Sequence, residues 1–129
     1  MNTLSFEKIK LDGNLKQPGV YKIFLLKKNK PKKITRLLCE DLSGLIYIGA
    51  AEKTNLEYRL NCFLKSISPS KQNNHSAGNK IYNNPNLQYY INLFQLGYEI
   101  ISCSKAKEIE KKLLLEYRLN FGEVPPLNG

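Results

Sequence analysis

Residues 20–26, Val20-Tyr21-Lys22-Ile23-Phe24-Leu25-Leu26, form the stretch that decides the fold. It is rich in β-branched and aromatic side chains, and Gln17-Pro18-Gly19 interrupts the chain just before it, so the pattern predicts a strand. A second stretch of this kind, Leu45-Ile46-Tyr47-Ile48-Gly49, follows the turn signal Asp41-Leu42-Ser43-Gly44 and predicts another strand. With a further strand expected at residues 36–39, the sequence predicts an antiparallel meander.

The rest of the chain is interpreted mainly as helices. A helix at about 55–67 is expected, because Thr54-Asn55-Leu56-Glu57 has capping-box spacing and apolar residues then recur with helical period. The predicted fold class is α+β, with a small, mostly antiparallel sheet of three strands, plus an extra strand or hairpin, covered by helices. The later elements are expected to be a long loop with one short helix at 68–86, a helix at 87–96 ending at Gly97, a strand at 98–102, and a helix at 105–120 stopped by Gly122.

Length and composition indicate one globular domain, since the chain has 129 residues, of which 42% are hydrophobic. We divide it into an N-terminal extension, 1–17, and a domain, 18–129, with a lysine-rich insertion at 27–36. No apolar run approaches the roughly 18 residues of a membrane span, and no secretory signal is recognised. A cytoplasmic protein with no membrane partner is therefore expected. Three separated cysteines indicate buried, reduced thiols rather than a disulfide framework.

The net charge of +9 favours a polyanionic partner, because excess Lys and Arg attract phosphate backbones. Most of the excess lies in residues 1–40. Its densest part is Lys27-Lys28-Asn29-Lys30-Pro31-Lys32-Lys33, which has the pattern of a hairpin loop. Two interpretations stay open for this loop: a solvated segment that keeps the protein soluble, or a segment that contacts phosphates.

One carboxylate breaks the pattern of the last helix. At 100° per residue, Glu116 is expected in the middle of the apolar arc, where it would lose hydration and need a partner. An ion pair with Arg59, at the edge of the first helix's apolar face, is the structural alternative. A carboxylate for a hard divalent cation and a guanidinium for phosphate, in a basic protein, indicate phosphodiester chemistry.

The tripeptides Gly19-Val20-Tyr21 and Tyr47-Ile48-Gly49 resemble the two motifs that name the GIY-YIG nuclease superfamily. Three more segments follow in the order seen in that family, and the resemblance is carried by the whole ordered set over about residues 18–129. The three are Leu56-Glu57-Tyr58-Arg59, Leu113-Leu114-Leu115-Glu116 and Pro125-Pro126-Leu127-Asn128.

The resemblance implies a metal-dependent endonuclease that hydrolyses the phosphodiester bonds of nucleic acid, with DNA as the expected partner. Glu116 would be the single carboxylate ligand of a Mg²⁺ or Mn²⁺ cofactor, and Arg59 would stabilise the charge on the phosphate. Tyr21 and Tyr47 would position or activate water. Asn128 would tie the end of the chain to the strands that carry the tyrosines.

His75 is a further catalytic candidate, because Phe63 cannot transfer a proton at a position where relatives often carry His or Tyr. A histidine in a surface loop is the alternative. The general base stays open between Tyr21, His75 and metal-bound hydroxide. The expected nucleic-acid-binding residues are Lys22, Lys27, Lys28, Lys30, Lys32, Lys33 and Lys53.

No separate recognition module follows the nuclease-like segment, so a homodimer or a separate specificity partner is left open. The competing class is a catalytically degenerate, basic DNA- or RNA-binding module of the same fold. A basic structural protein is a third class, which explains the charge but not the ordered motifs.

Overall fold

The computed structural model describes residues 2–3, 15–67 and 75–129. The strands are β1 (Asn2–Thr3), β2 (Gly19–Lys27), β3 (Lys30–Pro31), β4 (Ile34–Thr35), β5 (Glu40–Asp41), β6 (Leu45–Ala51) and β7 (Gln95–Ser102). The helices are α1 (Leu56–Ile67), α2 (Ser76–Tyr82), α3 (Pro85–Ile91) and α4 (Ala106–Phe121). None of the helices in these described ranges is long and apolar enough to cross a membrane.

Strand β2 is the centre of a five-stranded antiparallel sheet. It pairs with β6 along one edge and with β7 along the other, so Tyr21 lies opposite Gly49 and Ile100. Strand β3 extends the β6 side of β2, β1 pairs with β7, and β4 and β5 form a separate two-stranded sheet. The expected α+β class with a small antiparallel sheet is confirmed.

Successive residues of β2 face two different hydrophobic clusters, as the period of a strand requires. Tyr21, Ile23 and Leu25 belong to a cluster that α1, α2 and α3 complete. Val20 and Phe24 belong to a second cluster, which α4 completes. Further members of the first cluster are Leu15, Leu56, Phe63, Ile81 and Ile91, and further members of the second are Leu45, Ile48, Ala106 and Tyr117.

Two of the expected elements are wrong in position. Residues 36–39 are not a strand but the connection between β4 and β5, closed by a hydrogen bond from Arg36 N–H to the Cys39 carbonyl. The helix expected at 87–96 begins at Pro85 and ends at Ile91, because the Asn84 side chain caps its start and residues 95–96 pair with β2. The expectation that the cysteines are buried is confirmed for Cys62 and wrong for Cys39, which is exposed, whereas Cys103 is only half-buried.

Helix α1 lies where the sequence predicts it, but its cap is a different residue. The Asn55 side chain, not that of Thr54, accepts the Tyr58 N–H at 2.8 Å. The Glu57 carboxylate does not close a capping box, since its Oε2 is buried without a hydrogen-bond partner in the described parts of the chain.

Candidate functional site

The pairing of β2 with β6 brings the two tripeptides together. Tyr21 lies directly opposite Gly49, and its ring occupies the space that a side chain at Gly49 would fill. A Cβ at Gly49 would collide with Cζ of Tyr21 and would lie 2.7 Å from Cε2 of Tyr47. The ring centroids of the two tyrosines are 6.0 Å apart. The glycine of the second tripeptide, Gly49, therefore leaves the space that the ring of Tyr21 occupies.

His75 is buried against these tyrosines. The alternative of a surface histidine is wrong, because the side chain is 0% exposed. It is the N-cap residue of α2, where its Nδ1 accepts the Gly78 N–H at 3.1 Å. Its Nε2 lies 2.8 Å from the Tyr21 hydroxyl, and its ring packs edge-on against Phe63. Residues far apart in sequence thus meet at one phenol.

The cap hydrogen bond fixes which nitrogen of His75 carries the proton. A backbone N–H is always a donor, so Nδ1 must be the unprotonated nitrogen of a neutral imidazole. The proton is then on Nε2, and His75 donates to the phenolic oxygen of Tyr21. Burial, with a smaller contribution from the Arg59 charge, lowers the pKa of His75 to about 3. The imidazole is therefore neutral at physiological pH.

The Arg59 guanidinium charge acts on both the Tyr21 phenol and the His75 imidazole, and the Tyr47 ring lies beside both of them. Burial and the neighbouring Tyr47 raise the pKa of Tyr21 above its ordinary value of 10.0, and the Arg59 guanidinium opposes the shift only in part. Tyr21 is thus a neutral phenol that accepts a hydrogen bond from His75. We call Tyr21, Tyr47, Arg59 and His75 the tyrosine cluster.

Asn128 holds the end of the chain against β6, beside the tyrosine cluster. Its Oδ1 accepts the Ile48 N–H at 3.0 Å, and its Nδ2 donates to the Ile48 carbonyl at 2.8 Å. The carboxamide bonds to the strand as a backbone amide would, and Leu127 N–H adds a bond to the Ile46 carbonyl at 2.9 Å. Ile48 follows Tyr47 directly, so this pairing fixes the strand that carries the second tyrosine. This is the connection expected of Asn128.

Glu116 does not lie where the helical pattern places it. It is exposed, and the expectation of a buried carboxylate in an apolar arc is wrong. Helix α4 packs through Ala106 and Tyr117, and Glu116 lies about 100° around the helix from Tyr117. Two leucines of the predicted arc, Leu115 and Leu119, are 58% and 70% exposed. Glu116 is on the helix that covers the second cluster and is not part of the tyrosine cluster.

The exposed Glu116 carboxylate is a donor of the type that Mg²⁺ prefers, and the only described ion pair joins Arg36 to Glu123, so Glu116 is open to a cation. The described residues contain no group of three or more His, Cys, Asp or Glu side chains that could hold a metal. The residues present therefore fit a hydrated ion on one carboxylate, and they do not form a closed metal cage.

The candidate nucleic-acid-binding lysines lie in the β2–β3 hairpin, within β2 and in the β6–α1 connection. Lys27, Lys28, Lys30 and Lys33 are exposed at or beside the β2–β3 turn, and Lys53 is exposed in the β6–α1 connection. Two further candidates are half-buried: Lys22 within β2, and Lys32, whose Nζ lies 6.0 Å from the centroid of the Phe94 ring.

Gly78 is a residue of the site that sequence reasoning misses. Its N–H orients His75, and a Cβ there would collide with Cβ of Ser66 on α1. The signal is present in His75-Ser76-Ala77-Gly78, where a side-chain acceptor stands three residues before the N–H it caps.

Comparison with known proteins adds no relative. Neither the family models, nor the curated proteins, nor the solved structures contain a match to this chain. The assignment of function therefore rests on the residues and on the geometry above.

Proposed function

We propose that this protein is a metal-dependent endonuclease of the GIY-YIG type that hydrolyses phosphodiester bonds of DNA. The observation that carries the proposal is the contact of His75 and Tyr47 with the buried Tyr21 ring, under the influence of the Arg59 charge. The proposed cofactor is Mg²⁺ or Mn²⁺, held by the exposed carboxylate of Glu116. The proposed location is the cytoplasm, where cysteines stay reduced.

The tyrosine cluster is unlike an ordinary core. Burying the polar groups of Tyr21, Tyr47 and His75 costs free energy that apolar residues of similar size would not cost. Perturbed titratable groups held in a mutual network are typical of functional sites. Arg59, which is only half-buried, is the member of the cluster that can meet a phosphate, because a guanidinium matches the geometry of phosphate oxygens.

The protonation states of Tyr21 and His75 limit the roles that these two groups can have in hydrolysis. Hydrolysis forms a bond from a water oxygen to phosphorus and breaks the bond to the leaving oxygen. The attacking water gives one proton to a base, and the leaving oxygen takes one proton from an acid or from solvent. Tyr21 is neutral and His75 already has its Nδ1 lone pair engaged by Gly78. Neither is a free base in this arrangement, so the base lies outside the pair, and we assign His75 to holding the Tyr21 phenol in place. A divalent ion at Glu116 would supply a Lewis acid for the phosphate oxygens.

A second candidate function is favoured by one observation. The Tyr21 side chain is 1% exposed, so substrate does not reach the phenol in this conformation. A non-catalytic DNA- or RNA-binding module of the same fold would keep such a tyrosine for packing alone. The two functions differ in one measurable respect, which is metal-dependent cleavage.

The test is cleavage of supercoiled plasmid and of a single-stranded oligonucleotide with Mg²⁺, with Mn²⁺ or with EDTA. We expect nicking that needs the metal, that falls more than about 100-fold in Glu116→Gln, and that persists in Glu108→Gln. Glu108 is the matched control, since it is another exposed carboxylate on α4. Tight DNA binding without cleavage in any metal would establish the second candidate. Cleavage by Glu116→Gln at the wild-type rate would exclude Glu116 as the ligand.

A further inference from the structure

The turn between β2 and β3 places lysines at the tip of a hairpin in a costly conformation. Its two central residues, Lys28 and Asn29, have φ of 51° and 64°, in the left-handed region that favours glycine. Hairpin turns of this kind usually carry Asn-Gly or Asp-Gly. Unlike glycine, a lysine does not favour this left-handed backbone conformation, so the presence of a lysine side chain at the tip needs another explanation.

The tip is held in place by contacts behind it. The Asn29 N–H donates to the Gln95 side chain at 3.0 Å, and the Lys32 N–H donates to the Leu25 carbonyl at 2.9 Å. Lys27 and Lys30 face each other across the turn. None of the lysines at 27–33 forms an ion pair with a described acidic residue. The result is a fixed hairpin whose cations have no ion-pair partner within the described ranges.

The hairpin stands at a defined distance from the tyrosine cluster. Tyr21 and Lys27 belong to the same unbroken strand, Gly19–Lys27. The six residue steps between them span about 20 Å at about 3.3 Å per residue. The rise of B-DNA is about 3.4 Å per base pair, so this distance matches about six base pairs.

We propose that the hairpin at residues 27–33 binds the phosphate backbone of a DNA duplex that runs along β2, about six base pairs from the tyrosine cluster. This inference rests on the proposed function, and it names the duplex as the substrate class. A duplex keeps a constant rise over such a distance because its persistence length is about 150 base pairs. A fixed cationic tip at a fixed spacing suits such a rigid polyanion better than it suits a single strand.

The binding test uses Glu116→Gln protein with EDTA, so that no cleavage interferes, and a fluorescent duplex of about 24 base pairs. The hairpin variant is Lys27→Gln, Lys28→Asn and Lys30→Gln, with asparagine chosen at the second position because it tolerates left-handed backbone. The matched control removes the same charge from exposed lysines on or beside α4: Lys105→Gln, Lys107→Gln and Lys111→Gln. Thermal unfolding of both variants verifies that they fold.

We expect the slope of log affinity against log salt to become less steep by about 2 to 3 in the hairpin variant. In the control variant the change should be under about 1. Equal slopes in the two variants would overturn the proposed contact, as would equal loss of affinity for a single strand and for the duplex. This comparison needs no catalysis, so it decides the hairpin contact even if the protein does not cleave.

The spacing is tested by cleavage of end-labelled duplexes. Wild-type protein should leave uncut about six base pairs at one end of each duplex, because a closer cut leaves the hairpin without backbone to bind. The hairpin variant should lose this boundary while it cuts more slowly. Wild-type cleavage up to both ends would overturn the spacing, whereas absence of cleavage with a lysine-dependent salt slope would overturn the proposed function and keep the contact.

Discussion

The hydrogen bond from Gly78 to His75 determines the chemistry of the whole tyrosine cluster. With Nδ1 occupied, the imidazole presents Nε2–H to Tyr21, so histidine acts as donor and the phenolic oxygen as acceptor. Protonating Nδ1 would break the cap of α2 and place a cation next to Arg59. Burial and, to a smaller extent, the Arg59 charge oppose the charged form and lower the pKa of His75 to about 3.

This arrangement predicts how stability depends on pH. The pKa of His75 is about 3 in the folded protein and near 6.5 when unfolded, so between these values the unfolded chain binds the extra proton. The stabilisation is therefore complete above pH 6.5 and is lost as the pH falls towards 3, by up to about 1.4 kcal/mol per pH unit. Unfolding by urea at several pH values should show this dependence in wild type, and a flatter one in His75→Gln.

The single histidine of the chain makes a direct control possible. Nitrogen NMR should show the proton on Nε2, and the imidazole signals should not titrate between about pH 7 and pH 5. Titration near the ordinary pKa of about 6.5, or a proton on Nδ1, would contradict the assigned hydrogen bonds and the donor role of His75.

Gly49 provides a second test at this scale. In Gly49→Ala the new methyl group would collide with the ring of Tyr21, which is 1% exposed. We expect a loss of about 1–3 kcal/mol in the free energy of unfolding, as for other overpacked cores, and a shift in the His75 NMR signals. Ala50→Gly is the adjacent control and should leave those signals in place. A Gly49→Ala protein with unchanged stability and spectra would show that the Tyr21 ring is not seated on Gly49.

At the scale of elements, the cap of α1 expected from the sequence pattern differs from the cap that the structure forms. The sequence places Thr54 at the cap, whereas the Asn55 oxygen makes the bond to the Tyr58 N–H. Asn55→Ala should therefore cost about 1 kcal/mol of stability, and Thr54→Ala less than about 0.5 kcal/mol. Chemical denaturation of the pair measures the difference. Equal costs for the two substitutions would contradict Asn55 as the cap.

The elements that the sequence predicts well are those whose pattern is local. The strand at 20–26 and the helix at 55–67 are continuous runs of one period, and both lie within a residue or two of their expected bounds. The helix expected at 87–96 is displaced because residues 95–96 pair with β2, which is a long-range contact that no local pattern reveals. Leu37 and Leu38 resemble part of a strand, yet they lie exposed in a turn.

The residues of the candidate site also fall into those whose positions follow from the sequence and those whose positions depend on long-range packing. Tyr21, Tyr47 and Asn128 occupy adjacent positions because strand pairing follows from the two motifs. The sequence places His75 only in a loop, since its burial depends on how α2 packs against α1. The helical pattern places Glu116 in an apolar arc because it counts every leucine around it as core, and the exposure of those leucines is decided by how α4 lies on the sheet.

At the scale of the whole molecule, the two hydrophobic clusters share the strand β2. Tyr21, Ile23 and Leu25 of β2 enter the first cluster and Val20 and Phe24 enter the second, while both β6 and β7 bond to the backbone of β2. Neither cluster can lose β2 without exposing the other. The chain should therefore unfold as one cooperative unit, although its helices lie on opposite faces of the sheet.

Phe24→Leu tests this coupling, because Phe24 lies in the cluster beneath α4 while His75 lies against the other face. We expect a loss of about 1–3 kcal/mol and a fall of several degrees in Tm. The His75 NMR signals, which report the tyrosine cluster, should disappear at the same temperature as the far-UV circular dichroism. The reciprocal variant, Ile23→Val, should lower both transitions together as well. A tyrosine cluster that survives the loss of α4 packing would mean that the two faces fold separately, and that Glu116 and the tyrosines are not held in one rigid site.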